Sequence, residues 1–319
     1  MTNNVVDFET AFEQVKKEVA KLLTKGPSLI SGYTSYLTEA TGKMMRAKAV
    51  LACAMDENDM VPRDAIIFAA AVETLHLATL VHDDIMDDAD TRRGQITLQK
   101  KSGKRNAVIC GDYLLASAIR EIASVDDTDK YKDFDFSKYV EAIALGELRQ
   151  NINNRNFRLG TFRYLSIIDG KTAALFEASF HAGAMAGNAT EKEIKLYRRL
   201  GRYTGIAFQL TDDCIDYEVS EDTALKPVQS DFENGVVTLP LIHTFEEDAS
   251  LAERAEKGLI SKEEILEEVS KHGGVEYTHK TAERYYKKGV EAIEALQLSG
   301  KKREILEGLI TKAYVGLKK

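Results

Sequence analysis

The sequence is poor in the residues that stabilise small secreted domains or build zinc sites. Its 319 residues include three cysteines, which lie far apart and outside any Cys-x-x-Cys or Cys/His spacing, so neither a disulfide framework nor a zinc site is predicted. Tryptophan is absent and only four prolines occur, a scarcity that favours long uninterrupted helices. No apolar run approaches about eighteen residues, and the polar N-terminus lacks the features of a signal peptide. We therefore expect no transmembrane segment and a cytoplasmic location.

Basic residues are also fewer than acidic ones. The 43 lysines and arginines are outnumbered by 51 aspartates and glutamates, which gives a formal net charge of −8. Such an acidic balance argues against broad binding to nucleic acid, so we expect no nucleic-acid partner. An anionic substrate would have to bind at local clusters of basic residues.

Helical periodicity, by contrast, is present along most of the chain. Apolar residues recur at intervals of three and four, a pattern that predicts helices. The predicted helices span residues 6–24, 43–57, 62–88, 105–123, 134–158, 171–188, 190–219, 262–296 and 300–318. The 62–88 segment is apolar nearly all round, as expected for a helix buried in the middle of a bundle. Alternating strand patterns are scarce, so no sheet is predicted.

No linker interrupts this pattern. The polar segment 220–235 is short enough to be a lid over a site rather than a domain boundary. The sequence therefore predicts one all-α domain over residues 1–319.

Two acidic motifs follow apolar helical segments. They are Asp83-Asp84-x-x-Asp87 and Asp212-Asp213-x-x-Asp216. In each motif the first and last aspartates are four residues apart and share one helix face, where like charges repel and call for a cation. Carboxylates completed by phosphate oxygens and water are the ligands that Mg²⁺ prefers. A single motif could be an ordinary solvated charge run, but two favour a site in which bridging Mg²⁺ ions hold a diphosphate.

Basic residues occur near both motifs. Arg92 and Arg93 follow the first motif, and Lys226 follows the second. Lys43 and Arg46, three residues apart, are predicted to share one face of the helix that begins near Lys43. Each of these residues alone is ordinary surface charge, but together they suit the binding of phosphate oxygens.

Taken in chain order, these motifs resemble those of the trans-prenyl diphosphate synthase family. The resemblance spans about residues 40–245 and rests on Gly42-Lys43-x-x-Arg46, Glu73-x-x-His76, Asp83-Asp84-x-x-Asp87, Arg92-Arg93-Gly94, Gly111-Asp112, Gly146-Glu147, Lys171-Thr172, Phe208-Gln209, Asp212-Asp213-x-x-Asp216 and Thr238-Leu239-Pro240-Leu241. It implies a helical bundle of the isoprenoid synthase type with a central cavity. It also implies a Mg²⁺-dependent condensation of isopentenyl diphosphate, head to tail, with an allylic prenyl diphosphate.

The resemblance implies a role for each matching residue. The expected Mg²⁺ ligands are Asp83, Asp87 and Asp212, with Asp84, Asp213 and Asp216 in support, directly or through water. Contacts to the allylic diphosphate are expected from Arg92 and Lys226, and contacts to isopentenyl diphosphate from Lys43, Arg46, His76 and Arg93. Beside the developing allylic cation we expect Lys171, Thr172 and Gln209. The departing diphosphate is the expected base, so no protein general base is required.

Several positions depart from the commonest pattern of the family. Met44 stands where many members have arginine, and Leu225 and Gln229 replace glycines, which would stiffen the lid. Val236 stands where a second lysine is frequent, so we expect a weaker grip on the allylic diphosphate.

Three other functions are compatible with parts of the pattern. A non-catalytic subunit of a heteromeric synthase would be marked by lost motif aspartates, yet all six are present. A terpene cyclase of the same scaffold usually carries an Asn/Ser/Glu motif at the second site. A head-to-head synthase of the squalene type also stays open. His82-Asp83 resembles the pair of metal phosphohydrolases, but that chemistry needs another histidine well upstream, and none precedes His76.

The resemblance also bears on assembly and on product length. It implies a homodimer or a heteromer with a small accessory subunit. Bulky aromatics just before the first motif stop the growing chain in short-chain members, whereas Ala78 and Thr79 are small. We therefore expect a product of about C25 or longer, whose growing tail runs along the 62–88 helix. Phe68 is the candidate floor of that channel, and plain core packing is the alternative role for this residue.

Overall fold

Most of the described chain is helical, as the periodicity predicts. The computed structural model describes residues 5–38, 42–92, 94–127, 129–218 and 231–316. Its helices are α1 (Phe8–Thr24), α2 (Ser28–Thr34), α3 (Met45–Ala54), α4 (Arg63–Met86), α5 (Leu98–Ser102), α6 (Lys104–Ala123), α7 (Phe136–Ile152), α8 (Thr161–Ile168), α9 (Ala174–Ala186), α10 (Glu191–Glu218), α11 (Leu239–Glu247), α12 (Ala249–Glu256), α13 (Lys262–Lys271), α14 (Gly274–Ala295) and α15 (Gly300–Val315). The prediction of an all-α fold is confirmed.

Two small antiparallel ribbons accompany the helices, where the sequence predicts no strand. In the first, β1 (Val5–Asp7) pairs with β2 (Met60–Pro62), and in the second, β3 (Thr91–Arg92) pairs with β4 (Gln95–Ile96). Strands of two or three residues are too short for an alternating pattern to be recognised.

The chain divides into two compact units. The first contains the described residues of Met1–Lys138, Glu177–Gly201 and Ile293–Glu307, and the second those of Tyr139–Phe176, Arg202–Ala292 and Gly308–Lys319. That these units function as one domain stays a prediction.

Helix α4 is the core of the first unit. It packs against α1, α3 and α6 and is buried along most of its length, which confirms the prediction from its all-round apolar sequence. Among the described helices it is the one that is long and apolar enough to cross a membrane. A core helix has the same composition, and most of α4 is buried.

The core of the second unit is an apolar cluster to which α8, α10, α11, α12, α13 and α14 contribute. Tyr164, Leu210 and Leu239 are among its most buried members. The predicted helix 262–296 is wrong in one respect, because it is two helices. The chain turns at Gly273, whose φ of 68° is a left-handed conformation that glycine adopts without strain.

Candidate functional site

The first acidic motif lies at the C-terminal end of α4. Asp88 adopts a left-handed conformation with φ 52°, and the Ala89 N–H donates to the Asp84 carbonyl over 2.9 Å, which closes a Schellman motif. Asp87 is therefore the C-cap and not a helical residue. Carboxylates are disfavoured at this end because the helix dipole is negative there. The motif thus concentrates negative charge where a cation would stabilise it.

The three aspartates of this motif differ in exposure. Asp83 is half-buried and Asp87 is exposed, whereas Asp84 is only 6% exposed. Arg92, which β3 carries, donates from Nε to Asp84 Oδ1 over 2.5 Å. Burial raises the pKa of the Asp84 carboxyl, and the adjacent guanidinium of Arg92 opposes that rise. The structure therefore brings Arg92 beside the first motif, as predicted.

The second acidic motif lies in the last turns of α10 and repeats the same arrangement. Asp212 and Asp216 are half-buried, whereas Asp213 is 5% exposed. The Tyr164 hydroxyl donates to Asp213 Oδ2, and Gln209 Nε2 donates to Asp213 Oδ1 over 2.7 Å. Burial raises the pKa of Asp213 to about 7, although both donors act to lower it.

Both motifs therefore turn their middle aspartate inward and leave the first and last nearer to solvent. Within the part of the chain that the structure describes, no group of three or more His, Cys, Asp or Glu side chains is arranged to hold a metal ion. Mg²⁺ keeps several waters and is commonly bound by one or two carboxylates together with substrate phosphates, so the first and last carboxylates of each motif are the ones that could hold it.

The predicted basic pair Lys43 and Arg46 lies at the start of α3. Helix α3 begins at Met45, after Met44 in a left-handed conformation with φ 46°. Lys43 is therefore exposed and precedes the helix, so the prediction that it shares a helix face with Arg46 is wrong. Arg46 is in the first turn of α3.

Glu73 stabilises the start of α3 from a neighbouring helix. Met44 offers no side-chain cap, but Glu73 Oε1 of α4 accepts from the Ala47 N–H over 2.9 Å. This satisfies one of the donors that a helix start leaves free. It also fixes Arg46 relative to α4, which carries His76 one turn after Glu73.

Lys171 and Thr172 lie in a short π-helical segment, Asp169–Ala173, that precedes α9. Such wider turns occur often at functional sites. A Cβ on Gly146 would lie 2.2 Å from the Lys171 backbone nitrogen, so glycine is required for α7 to approach this segment. Lys171 Nζ pairs with Glu147 Oε2 over 2.8 Å, which gives a role to the Gly146-Glu147 motif.

The Thr172 hydroxyl donates to Gln209 Oε1 over 2.6 Å. The structure thus brings three of the predicted residues, Thr172, Gln209 and Asp213, into one hydrogen-bonded group. Sequence reasoning missed a fourth member, Tyr164. A tyrosine on the apolar face of a short helix looks like ordinary core packing, and nothing in its spacing indicates its partner.

Gly111-Asp112 also acquires a structural reason. A Cβ on Gly111 of α6 would lie 2.3 Å from Nε2 of His82 on α4. Any larger residue at this position would therefore clash with the His82 imidazole. His82 Nε2 lies 3.3 Å from Asp112 Oδ1. His82 is therefore directed to α6, although it precedes Asp83 in sequence.

Two predicted substrate contacts, Arg93 and Lys226, and the substituted positions Leu225 and Gln229 lie outside the described residues. Val236 is described and half-buried. Its N–H donates to the Asp231 carbonyl over 2.8 Å, and the Asp231 N–H donates to Asp216 Oδ2 over 2.9 Å. The last part of the predicted lid segment is therefore tied directly to the second motif through Asp231.

Known proteins resemble this chain over nearly its whole length. The octaprenyl diphosphate synthase of Haemophilus influenzae is 30% identical over 314 residues, which cover 96% of this chain and 93% of that protein. Component 2 of the heptaprenyl diphosphate synthase of Bacillus subtilis is 29% identical over 309 residues, which cover 96% of this chain and 87% of that protein. Other matching proteins include a geranylgeranyl diphosphate synthase.

The fold is shared with solved structures as well. A polyprenyl synthase from Caulobacter crescentus, complexed with calcium and isoprenyl diphosphate, superposes with a TM-score of 0.85 and 28% identity, covering 96% of this chain and 94% of that one. The predicted all-α fold of the isoprenoid synthase type is thereby confirmed. The family profile described as polyprenyl synthetase matches residues 27–272. The chain belongs to the polyprenyl synthetase family of prenyltransferases.

Proposed function

We propose that the protein condenses isopentenyl diphosphate with an allylic prenyl diphosphate in a Mg²⁺-dependent reaction that lengthens the chain by one isoprene unit. The observation that carries this proposal is the pair of acidic motifs at the ends of α4 and α10. Each motif leaves its first and last carboxylates near solvent at a negative helix terminus. The calcium and isoprenyl diphosphate bound by the Caulobacter relative add support.

The reaction would proceed by ionisation and attack. The C–O bond of the allylic diphosphate breaks, and the diphosphate leaves with the bonding electron pair. The double bond of isopentenyl diphosphate then attacks the allylic cation, a C–C bond forms, and loss of a proton to the departed diphosphate restores an alkene. Mg²⁺, held by Asp83, Asp87, Asp212 and Asp216, would neutralise the charge that develops on the leaving group.

The basic residues divide between the two diphosphates in this proposal. Arg92 and Lys226 would bind the allylic diphosphate, and Lys43, Arg46, His76 and Arg93 would bind isopentenyl diphosphate. Thr172 and Gln209 would turn oxygen lone pairs toward the cation, a form of stabilisation that needs no reorganisation during reaction. Lys171, whose ammonium is paired with Glu147, would lie beside them. Exclusion of water by the 220–235 segment would prevent quenching of the cation.

The proposed function is tested by incubating the protein with isopentenyl diphosphate and geranyl, farnesyl or geranylgeranyl diphosphate, followed by product sizing. We expect linear, longer prenyl diphosphates with Mg²⁺ and none with a chelator. Cyclic products formed from the allylic substrate alone would indicate a terpene cyclase. Linear products formed only after addition of a second protein would indicate a subunit of a heteromeric synthase.

We further propose a product of about C25 or longer. Ala78 is small and buried on α4, with 1% of its surface exposed. Phe68 lies fifteen residues before Asp83 on the same helix. That separation is about 22 Å, or roughly five isoprene units. Phe68 is fully buried and packs edge-on against Tyr131 and Phe134, with ring centroids 4.8 and 5.4 Å away. This aromatic cluster supports the assignment of Phe68 to the channel floor.

Lysine substitutions should separate the two diphosphate sites. Lys43→Ala should raise the KM for isopentenyl diphosphate about tenfold or more and change that for the allylic substrate little, because a charge-assisted phosphate contact is lost. Lys226→Ala should show the opposite bias. Steady-state kinetics with each substrate varied in turn measures both constants, and Lys25→Ala, an exposed lysine outside the motifs, is the control. Equal effects on both substrates would mean that the two sites are assigned wrongly.

The assembly that we propose is a dimer, either of two copies or with a small accessory subunit. Helix α6 of the first unit exposes Val108, Ile109 and Ile119. Helix α7 of the second unit exposes Leu145, Leu148 and Ile152, which are spaced by three and four residues along one face. Contiguous exposed apolar side chains of this kind mark interaction surfaces. The Bacillus subtilis relative is component 2 of its heptaprenyl diphosphate synthase, which favours a partner for this chain as well.

Sedimentation should therefore give a species with twice the mass of the 35.5 kDa chain. If the partner is a different protein, the chain should instead be inactive until that protein is added. Ile109→Glu or Leu148→Glu should dissociate the dimer because each places a charge in an apolar interface. Leu259→Glu, at another exposed leucine, should leave the dimer intact. A stable, active monomer at micromolar concentration would contradict the assembly.

We also propose that the protein acts as a single functional domain in the cytoplasm.

A further inference from the structure

A buried carboxylate anchors a chain of three hydrogen bonds in the second unit. The Tyr164 hydroxyl donates to Asp213 Oδ2, Gln209 Nε2 donates to Asp213 Oδ1 over 2.7 Å, and the Thr172 hydroxyl donates to Gln209 Oε1 over 2.6 Å. Tyr164, Thr172 and Asp213 are 3%, 8% and 5% exposed. The chain therefore links α8, the π-helical segment and α10 through side chains that are largely shielded from water.

Asp213 sets the direction of every hydrogen bond in this chain. Both of its carboxyl oxygens accept hydrogen bonds, so the amide nitrogen of Gln209 faces Asp213 and the amide oxygen faces Thr172. That oxygen accepts the hydroxyl hydrogen of Thr172. As a result, the Thr172 oxygen and the Gln209 oxygen can offer only lone pairs to anything else that binds nearby. These are the dipole ends that stabilise a developing positive charge.

We propose that Tyr164 is a positioning residue for prenyl transfer, and that Asp213 acts on Gln209 and Thr172 rather than on the metal. This inference rests on the proposed function, because it assigns the cation-stabilising role to Thr172 and Gln209. Both Asp213 oxygens are already engaged by protein donors, whereas Asp212 and Asp216 are nearer to solvent. Tyr164 completes the chain by holding Asp213 in the one orientation that presents Oδ1 to Gln209.

The test compares Tyr164→Phe, Thr172→Val and the double variant with the wild type. Tyr164→Phe removes one hydroxyl and keeps the ring in the core, and should lower kcat about tenfold. The KM of each substrate and the Mg²⁺ concentration for half-maximal activity should stay within about twofold, since no substrate or metal contact is lost. The double variant should lose no more activity than Thr172→Val alone, because both changes disable one chain.

Tyr217→Phe is the matched control. Tyr217 lies on the same helix as Asp213 and is hydrogen-bonded through its hydroxyl to Thr238 over 3.2 Å, so its variant also removes one partly buried hydroxyl but leaves the chain complete. It should retain the kcat of the wild type. If Tyr164→Phe does not fold, as judged by its thermal unfolding, the same double-variant comparison is made with Asp213→Asn, which keeps the shape of the side chain.

Each result decides the inference separately from the proposed function. Failure of the wild type to lengthen any allylic substrate overturns the proposed function itself. If the wild type is active, an unchanged kcat in Tyr164→Phe overturns the positioning role. A kcat that excess Mg²⁺ restores would place Asp213 at the metal instead. Multiplied losses in the double variant would show that Tyr164 acts independently of Thr172, and would overturn the chain.

Discussion

Asp83→Ala and Asp212→Ala should each lower kcat by three or more orders of magnitude while the protein stays folded. Each variant removes the first carboxylate of an acidic motif, and metal stabilisation of a leaving group is worth several kcal/mol in the transition state. About 1.4 kcal/mol corresponds to a factor of ten in rate. Both aspartates belong to motifs at helix C-termini, and their loss relieves repulsion between carboxylates. Thermal stability should therefore hold or rise slightly.

The control for this prediction is Asp88→Asn, because asparagine tolerates the left-handed conformation that Asp88 adopts. Asp88 follows Asp87 directly and is exposed, and its Oδ1 pairs with Lys104 Nζ over 2.8 Å. It carries the same charge at the same end of α4 but lies outside the motif. Its variant should keep nearly the full kcat, because an exposed ion pair contributes little. Single-turnover kinetics at saturating Mg²⁺, combined with thermal unfolding, distinguishes loss of chemistry from loss of fold. A near-normal rate in Asp83→Ala would falsify the metal assignment.

The sequence predicted the positions of the acidic motifs well because they depend on local information. A long apolar run followed by aspartates four residues apart requires only helix geometry to bring the carboxylates together. The structure adds what the pattern does not contain, namely that Asp84 and Asp213 turn inward. Their partners, Arg92 and Tyr164, come from other elements, so only the tertiary fold determines which aspartate is buried.

The error at Lys43 has a similar physical origin. Helix propensity alone extends α3 to Lys43, since neither lysine nor methionine ends a helix. The start is set instead by a left-handed Met44 and by Glu73, which supplies a cap from α4, distant in sequence. The π-helical turn at Lys171 likewise depends on the close approach of α7 at Gly146. Both features are tertiary, and neither has a signal within its own segment.

The proposed product length depends on what lies beside α4. Phe68 is fully buried in an aromatic cluster, in which Phe134 also packs edge-on against His181 with ring centroids 5.1 Å apart. Burial lowers the pKa of His181 to about 4, so this histidine is neutral near pH 7. In the proposed channel these uncharged aromatic rings would form an apolar end for the hydrocarbon chain, and their edge-on packing would resist further extension.

Ala78→Phe should shorten the products, with most of the material stopping near C15 to C20. The new ring would stand about 7 Å along α4 from Asp83, less than two isoprene units, and would fill space that the growing chain needs. Ala65→Phe is the matched control, because Ala65 is also a fully buried alanine of α4 but lies three residues beyond Phe68, past the proposed floor of the channel. It should leave the product distribution unchanged.

Phe68→Ala should have the opposite effect and lengthen the products, at a cost of about 3–5 kcal/mol in stability. Product sizing after complete consumption of radiolabelled isopentenyl diphosphate measures all three. If the wild type makes only farnesyl diphosphate, or if Ala78→Phe leaves the chain length unaltered, the growing tail does not run along this face of α4.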